Sequence, residues 1–224
     1  MAILLLITIY LLIDKRFIGL IPDITRPWQR RKRLRQLREL EELRPFDSAT
    51  QLELGTLLFE MGKPQEALPH LEKAVAKMDG HAGALYTYGA VCVELGEYAK
   101  GLAALQQAIA VRPEVQYGMP YVYLTRAALQ LNKQLAAESA GNADPSAADD
   151  MLRIDEWIAT VMRFGNVETC YRMGLVLQQA GLHEQARSLY QEAITIYRKS
   201  PSFARRQARR WYFRARSKFN SASK

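Results

Sequence analysis

The chain has 224 residues, 31 Lys and Arg against 23 Asp and Glu, and a formal net charge of +8. A hydrophobic fraction of 49% is ample for a core and excludes a wholly disordered chain. Two cysteines exclude a disulfide framework and a Cys-only zinc site, and three widely spaced histidines leave little for a His-based one.

The charge is unevenly placed. Residues 1–13 carry none, residues 14–44 hold ten basic and five acidic residues, and residues 201–224 hold eight basic and no acidic ones. Residues 45–200 are left with a net of −5. This argues against a uniformly basic nucleic-acid-binding domain.

Residues 1–13, MAILLLITIYLLI, are uncharged and almost wholly apolar. Asp14, Lys15 and Arg16 follow, then a second apolar patch from Phe17 to Ile21. Thirteen helical residues cover only about 20 Å of a bilayer core of about 30 Å. Extension to Ile21 reaches roughly 31 Å, with the charged trio snorkelling to the headgroups. A buried helix and a cleaved signal peptide compete with this reading. The run lacks the basic leader and small-residue cleavage site of a signal peptide. A short uncleaved anchor over 1–21 is therefore expected. No Lys or Arg precedes the run and nine follow it by Arg38, so the remainder is expected on the cytoplasmic side as a single-pass inner-membrane protein.

Residues 22–45 form a basic juxtamembrane segment. A helix is expected from Pro27 to Leu43, with Leu34, Leu37, Leu40 and Leu43 as its apolar stripe. Arg30, Arg31, Lys32 and Arg33 are its candidate contacts with an anionic surface.

Residues 46–200 repeat. Gly55 and Gly89 are 34 apart, as are Gly62 and Gly96, and Gly174 and Gly181 keep the same seven-residue interval. Large and small residues recur around them: Leu54, Leu58, Ala67 and Leu71, then Tyr88, Cys92, Gly101 and Leu105, then Met173, Leu177, Ala186 and Tyr190. A glycine inside a helix costs about 1 kcal/mol against alanine, so it marks a close helix crossing. Gly62, Gly96 and Gly181 read as left-handed helix ends.

This pattern resembles the tetratricopeptide repeat, a 34-residue helix–turn–helix unit. The resemblance implies an all-α solenoid with repeats at about 48–81, 82–115 and 167–200. A degenerate repeat takes 116–164, with helices expected at 117–131 and 147–164 and a loop at 134–149. Residues 201–224 start at Pro201 as a basic amphipathic helix expected to cap the stack, with Phe203, Ala204, Ala208, Trp211, Ala215 and Phe219 inward. Arg205, Arg206, Arg209 and Arg210 are a second candidate anionic surface.

The layout is similar to bacterial membrane-anchored tetratricopeptide repeat proteins, on Pro22-Asp23, Arg26-Pro27, the following Arg-rich run, and Arg205–Trp211. The lipopolysaccharide assembly protein B type ends in a four-cysteine metal module. This chain has no cysteine after Cys170, so that role is not carried over.

No Gly-rich phosphate loop, HExxH or EF-hand spacing occurs, and Cys92 and Cys170 fall at packing positions. No enzyme, metal or cofactor is expected. In the resembled family the first helices line a concave groove. The matching residues here include Phe59, Glu60, Tyr86, Ala90, Glu94, Tyr117, Tyr121, Tyr171 and Gln178. Val93, Pro120, Leu124, Glu168 and Leu175 join them. The resemblance implies a membrane-tethered adaptor that binds a protein or peptide there, an apolar or helical segment with some basic character. The family's Lys/Asn clamp for a C-terminal carboxylate is absent. An alternative function is a membrane-surface or nucleic-acid binder working through the Arg-rich terminal helices. Nucleic acid is disfavoured, since no motif supports it.

Overall fold

The computed structural model describes residues 26–138 and 146–221. The expected anchor at 1–21 lies outside the described residues. Among the described residues every regular element is helical.

Helix α1 spans Arg26–Leu43 and leads into three hairpins. These are α2 (Ser48–Glu60) with α3 (Pro64–Lys77), α4 (Ala82–Glu94) with α5 (Tyr98–Val111), and α8 (Val167–Gln179) with α9 (His183–Lys199). Between the second and third lie α6 (Met119–Glu138) and α7 (Ser146–Phe164), and α10 (Ser202–Ser221) closes the chain. The result is an all-α solenoid of stacked helical hairpins.

Local chemistry fixes each hairpin. The first helices share one capping position, eight residues before the crossing glycine. Asp47 accepts from Thr50 N at 3.0 Å, His81 Nδ1 accepts from Ala84 N at 3.0 Å, and Asn166 accepts from Thr169 N at 2.9 Å. The same helices end before Gly62, Gly96 and Gly181, which adopt φ of 76°, 85° and 82°. Each hairpin then crosses where a side chain has no room. A Cβ at Gly55, Gly89 or Gly174 would lie 2.5, 2.7 or 2.6 Å from Leu71, Leu105 or Tyr190.

Two apolar clusters result. Leu34 and Leu37 of α1 pack with Leu54, Leu58, Ala67, Leu71 and Val91. The larger cluster runs from Ala90 to Ala215, and Phe59 packs against both. Leu40 and Leu43 are corrections to the expected stripe: they are exposed, because only the middle turns of α1 make apolar contact with the first hairpin. A partly buried polar clasp holds the end of α1 instead. Gln51 is 1% exposed; its Nε2 donates to Glu41 at 3.0 Å and to the Pro45 carbonyl at 3.2 Å. Its carbonyl oxygen lies 2.8 Å from His70 Nδ1, which leaves the ring as the donor.

The intervening segment departs from expectation at both ends. A short 3₁₀ turn at Val115–Gly118 precedes α6, with Gln116 and Tyr117 at φ of 49° and 55°. Tyr117 therefore stands outside the helix. Residues expected as loop are helical at 134–138 and 146–149, while 139–145 lie outside the described residues. Trp157, Ile158 and Val161 of α7 are buried. In α10, Trp211 and Ala215 are buried, but Phe203 is 69% exposed, a further correction: it sits in the first turn, ahead of the buried contacts.

Gly89→Ala is expected to lower stability by about 2 kcal/mol despite a better helix propensity, because the new methyl also meets the Gly101 carbonyl oxygen at 3.0 Å. Thermal unfolding followed by circular dichroism checks it. Desolvation pushes the His70 pKa down against the opposing pull of Glu41. The unfolded ring takes a proton near 6.5, where the folded ring still resists it. Stability should therefore hold above that pH, fall as pH drops through it, and level off once the folded ring is also charged. Urea unfolding across the range checks this, and His70→Gln should flatten the slope.

Candidate functional site

The first helices α2, α4, α6 and α8 touch one another in that order and form one face of the stack. Its central feature is a pair of tyrosines from adjacent helices. Tyr86 of α4 meets Tyr123 of α6 edge-on, with ring centroids 6.2 Å apart. Burial pushes both phenol pKa values up, so both stay neutral. Glu168 of α8 and Glu60 of α2 reinforce the upward push on Tyr86, and Arg172 of α8 opposes it. Phe59, Tyr86 and Leu175 are half-buried and rest on the main cluster. They leave a discontinuous apolar line along the face.

The carboxylates on this face are already partnered. Glu60 accepts from Arg30 of α1 at 3.0 Å, Glu94 from Arg126 of α6 at 2.6 Å, and Glu168 from Arg172 one turn on at 2.9 Å. The edge marked by Glu60, Glu94 and Glu168 is thereby electrically balanced rather than acidic. These are surface pairs, each worth at most about 1 kcal/mol. Their effect is to cancel charge where a partner would meet it.

Several expected groove residues are not available to a partner. Ala90, Val93, Pro120, Tyr121, Leu124 and Tyr171 are buried. Tyr171 packs against Tyr190 at 6.1 Å and Trp211 at 5.5 Å, so α10 closes that end of the face. Gln178 is half-buried, and its carbonyl accepts from the Tyr190 hydroxyl at 3.0 Å. Tyr117 is 64% exposed on its turn. Tyr123, Arg126 and Arg172 were not foreseen. Tyr123 stands 34 residues after Gly89, so the repeat interval itself marks it as the place where the glycine is lost.

The basic helices divide in the same way. Arg30 and Arg33 are paired, Arg33 with Glu53 at 2.7 Å, whereas Arg31 and Lys32 are exposed. On α10, Arg205 and Arg206 are exposed. Arg210 and Arg214 lie over the Trp211 ring at 4.5 and 5.1 Å, and Arg209 over Phe213 at 5.7 Å. Among the described residues no three His, Cys, Asp or Glu side chains gather into a metal site. Both thiols are buried; burial pushes Cys170 up to about 12 and raises Cys92.

Fold and face together define a helical-hairpin repeat scaffold whose first helices share one face. Residues 58–119 and 167–200 each match a tetratricopeptide repeat model. The chain is similar in structure to MamA, with a TM-score of 0.54 and 21% identity over 81% of this chain and 95% of that one. It is similar to TTC0263, a thermophilic repeat protein of Thermus thermophilus, with a TM-score of 0.54 and 19% identity over 78% and 89%. It is also similar to the APC/C hetero-tetramer Cut9–Hcn1, with a TM-score of 0.55 and 17% identity over 86% of this chain and 36% of that one. No curated protein matches it in sequence. Proteins built on this repeat generally mediate protein–protein interaction.

Tyr171→Ala should cost about 3 kcal/mol, the loss expected for an aromatic removed from a core. Urea denaturation checks this, and a change within about 0.5 kcal/mol would return Tyr171 to the accessible face.

Proposed function

We propose that this chain is a non-catalytic protein-interaction adaptor tethered to the cytoplasmic membrane by residues 1–21, with its repeats in the cytoplasm. The tether rests on the apolar run and on the nine basic residues between it and Arg38. Among the described residues no helix is long and apolar enough to cross a membrane, so the proposal concerns residues 1–21 alone. Buried thiols held in their neutral form suit a scaffold rather than a nucleophile.

The observation that carries the adaptor reading is the groove surface. Phe59, Tyr86 and Leu175 offer apolar area between charges that already cancel in pairs. Such a surface selects shape and apolar contact over net charge. Its preferred partner is an amphipathic helical segment near neutrality, rather than the basic one expected from unpaired glutamates.

A photo-crosslinking residue at Thr56 or Gln179 on the first-helix face should capture partners in native membranes. The same residue at Gln107 on α5 should capture none. Equal capture from both sides would overturn the groove assignment. Capture through the groove should also change little as salt rises to about 0.5 M, since long-range attraction is screened there. A steep loss with salt would mean that the ion pairs open and attract the partner electrostatically.

A further inference from the structure

Helix α1 carries two kinds of basic residue on opposite sides. Arg30 and Arg33 face Glu60 and Glu53 at 3.0 and 2.7 Å, on the side that buries Leu34 and Leu37, and Arg38 reaches Glu66 at 3.6 Å from the flank of the helix. At 3.6 residues per turn, Trp28, Arg31, Lys32 and Arg35 fall together on the other side. All four are exposed, and the three cations have no ion-pair or hydrogen-bond partner among the described residues. One turn further along that side the charge reverses, at exposed Glu39 and Glu42.

Trp28 is 73% exposed, while the chain's other tryptophans, Trp157 and Trp211, are each 7% exposed. An indole in water beside three free cations matches a layer with negative charge outside and hydrocarbon just beneath. Its place in the chain agrees: Trp28 comes seven residues after Ile21, the end of the apolar stretch.

We propose that the Trp28–Arg31–Lys32–Arg35 face of α1 lies on anionic lipid headgroups, with the indole at the hydrocarbon boundary. Glu39 and Glu42 are repelled by the same surface, so α1 pitches away from it and lifts the repeats off the membrane. The inference rests on the tether proposed above and adds its contact surface and orientation.

The test uses the full chain with vesicles of phosphatidylcholine alone, or with added phosphatidylglycerol, each carrying brominated acyl chains. Tryptophan emission should be quenched in the anionic vesicles, and Trp28→Phe should remove the quenching because the other two indoles are in the core. Combined Arg31→Glu, Lys32→Glu and Arg35→Glu should reduce quenching by about threefold or more, with circular dichroism unchanged. Equal quenching in neutral and anionic vesicles, or none lost in the triple variant, would overturn the proposal. Flotation with neutral vesicles reports the tether separately. A chain that floats but keeps Trp28 unquenched on anionic lipid refutes the contact and leaves the tether. A chain that does not float with neutral lipid, yet is quenched on anionic lipid, supports the contact and refutes the tether. Protection of Arg31 and Lys32 by a single-stranded oligonucleotide, with Trp28 unquenched by lipid, would assign the face to nucleic acid and overturn the lipid contact.

Discussion

Each complete hairpin depends on a crossing too close for a Cβ. At Gly89 the nearest atoms are Leu105 Cγ at 2.7 Å and the Gly101 carbonyl oxygen at 3.0 Å, and Gly101 sees the Gly89 carbonyl at the same distance. Two backbones in that proximity leave one orientation for the second helix. The leucine or tyrosine above the glycine is then driven into the core: Leu71, Leu105 and Tyr190 are each at most 1% exposed. Close packing at a few small residues thus fixes the angle of every hairpin, and stacking follows from the faces so presented.

Where the small residue is lost, the architecture changes. Thirty-four residues beyond Gly89 stands Tyr123, and α6 runs twenty residues instead of thirteen. The Tyr123 ring meets Tyr86 in the neighbouring repeat. Residues Val115–Gly118 absorb the change in register through three successive positive φ values. The residue that stands where the glycine is lost thus supplies one half of the aromatic pair between α4 and α6.

Periodic and local chemistry was legible in the sequence; long-range pairing was not. The glycine interval placed three hairpins because it encodes contacts within one 34-residue unit. His81 as a helix cap was also readable, since it lies 34 residues after Asp47. The partners of the charged groove residues were not. Arg30 finds Glu60 thirty residues away and Arg126 finds Glu94 thirty-two away. Charge counting along the chain sees those residues only as members of a basic or acidic block. Tyr171 failed for a related reason: its neighbour Trp211 belongs to the last helix, forty residues later. A position that faces a groove in one repeat is covered in the last repeat by whatever closes the stack.

These pairings change what the net charge of +8 means. A basic leading helix beside an acidic repeat body would attract along its whole length if both were uniform. The fold instead matches individual arginines to individual carboxylates, and Lys77 even lies over the Phe46 ring at 4.8 Å. Charge that is matched inside the molecule is less available outside it, and the first-helix face keeps little net charge beside Phe59, Tyr86 and Leu175. The outward cations of α1 gather beside an exposed indole, where no carboxylate of the first hairpin reaches them. The neutralisation of Glu53 and Glu60 and the cationic character on the outer face of α1 are therefore one consequence of how a single helix docks. A rotation of α1 by half a turn would expose Arg30 and Arg33, free Glu53 and Glu60, and reverse both properties.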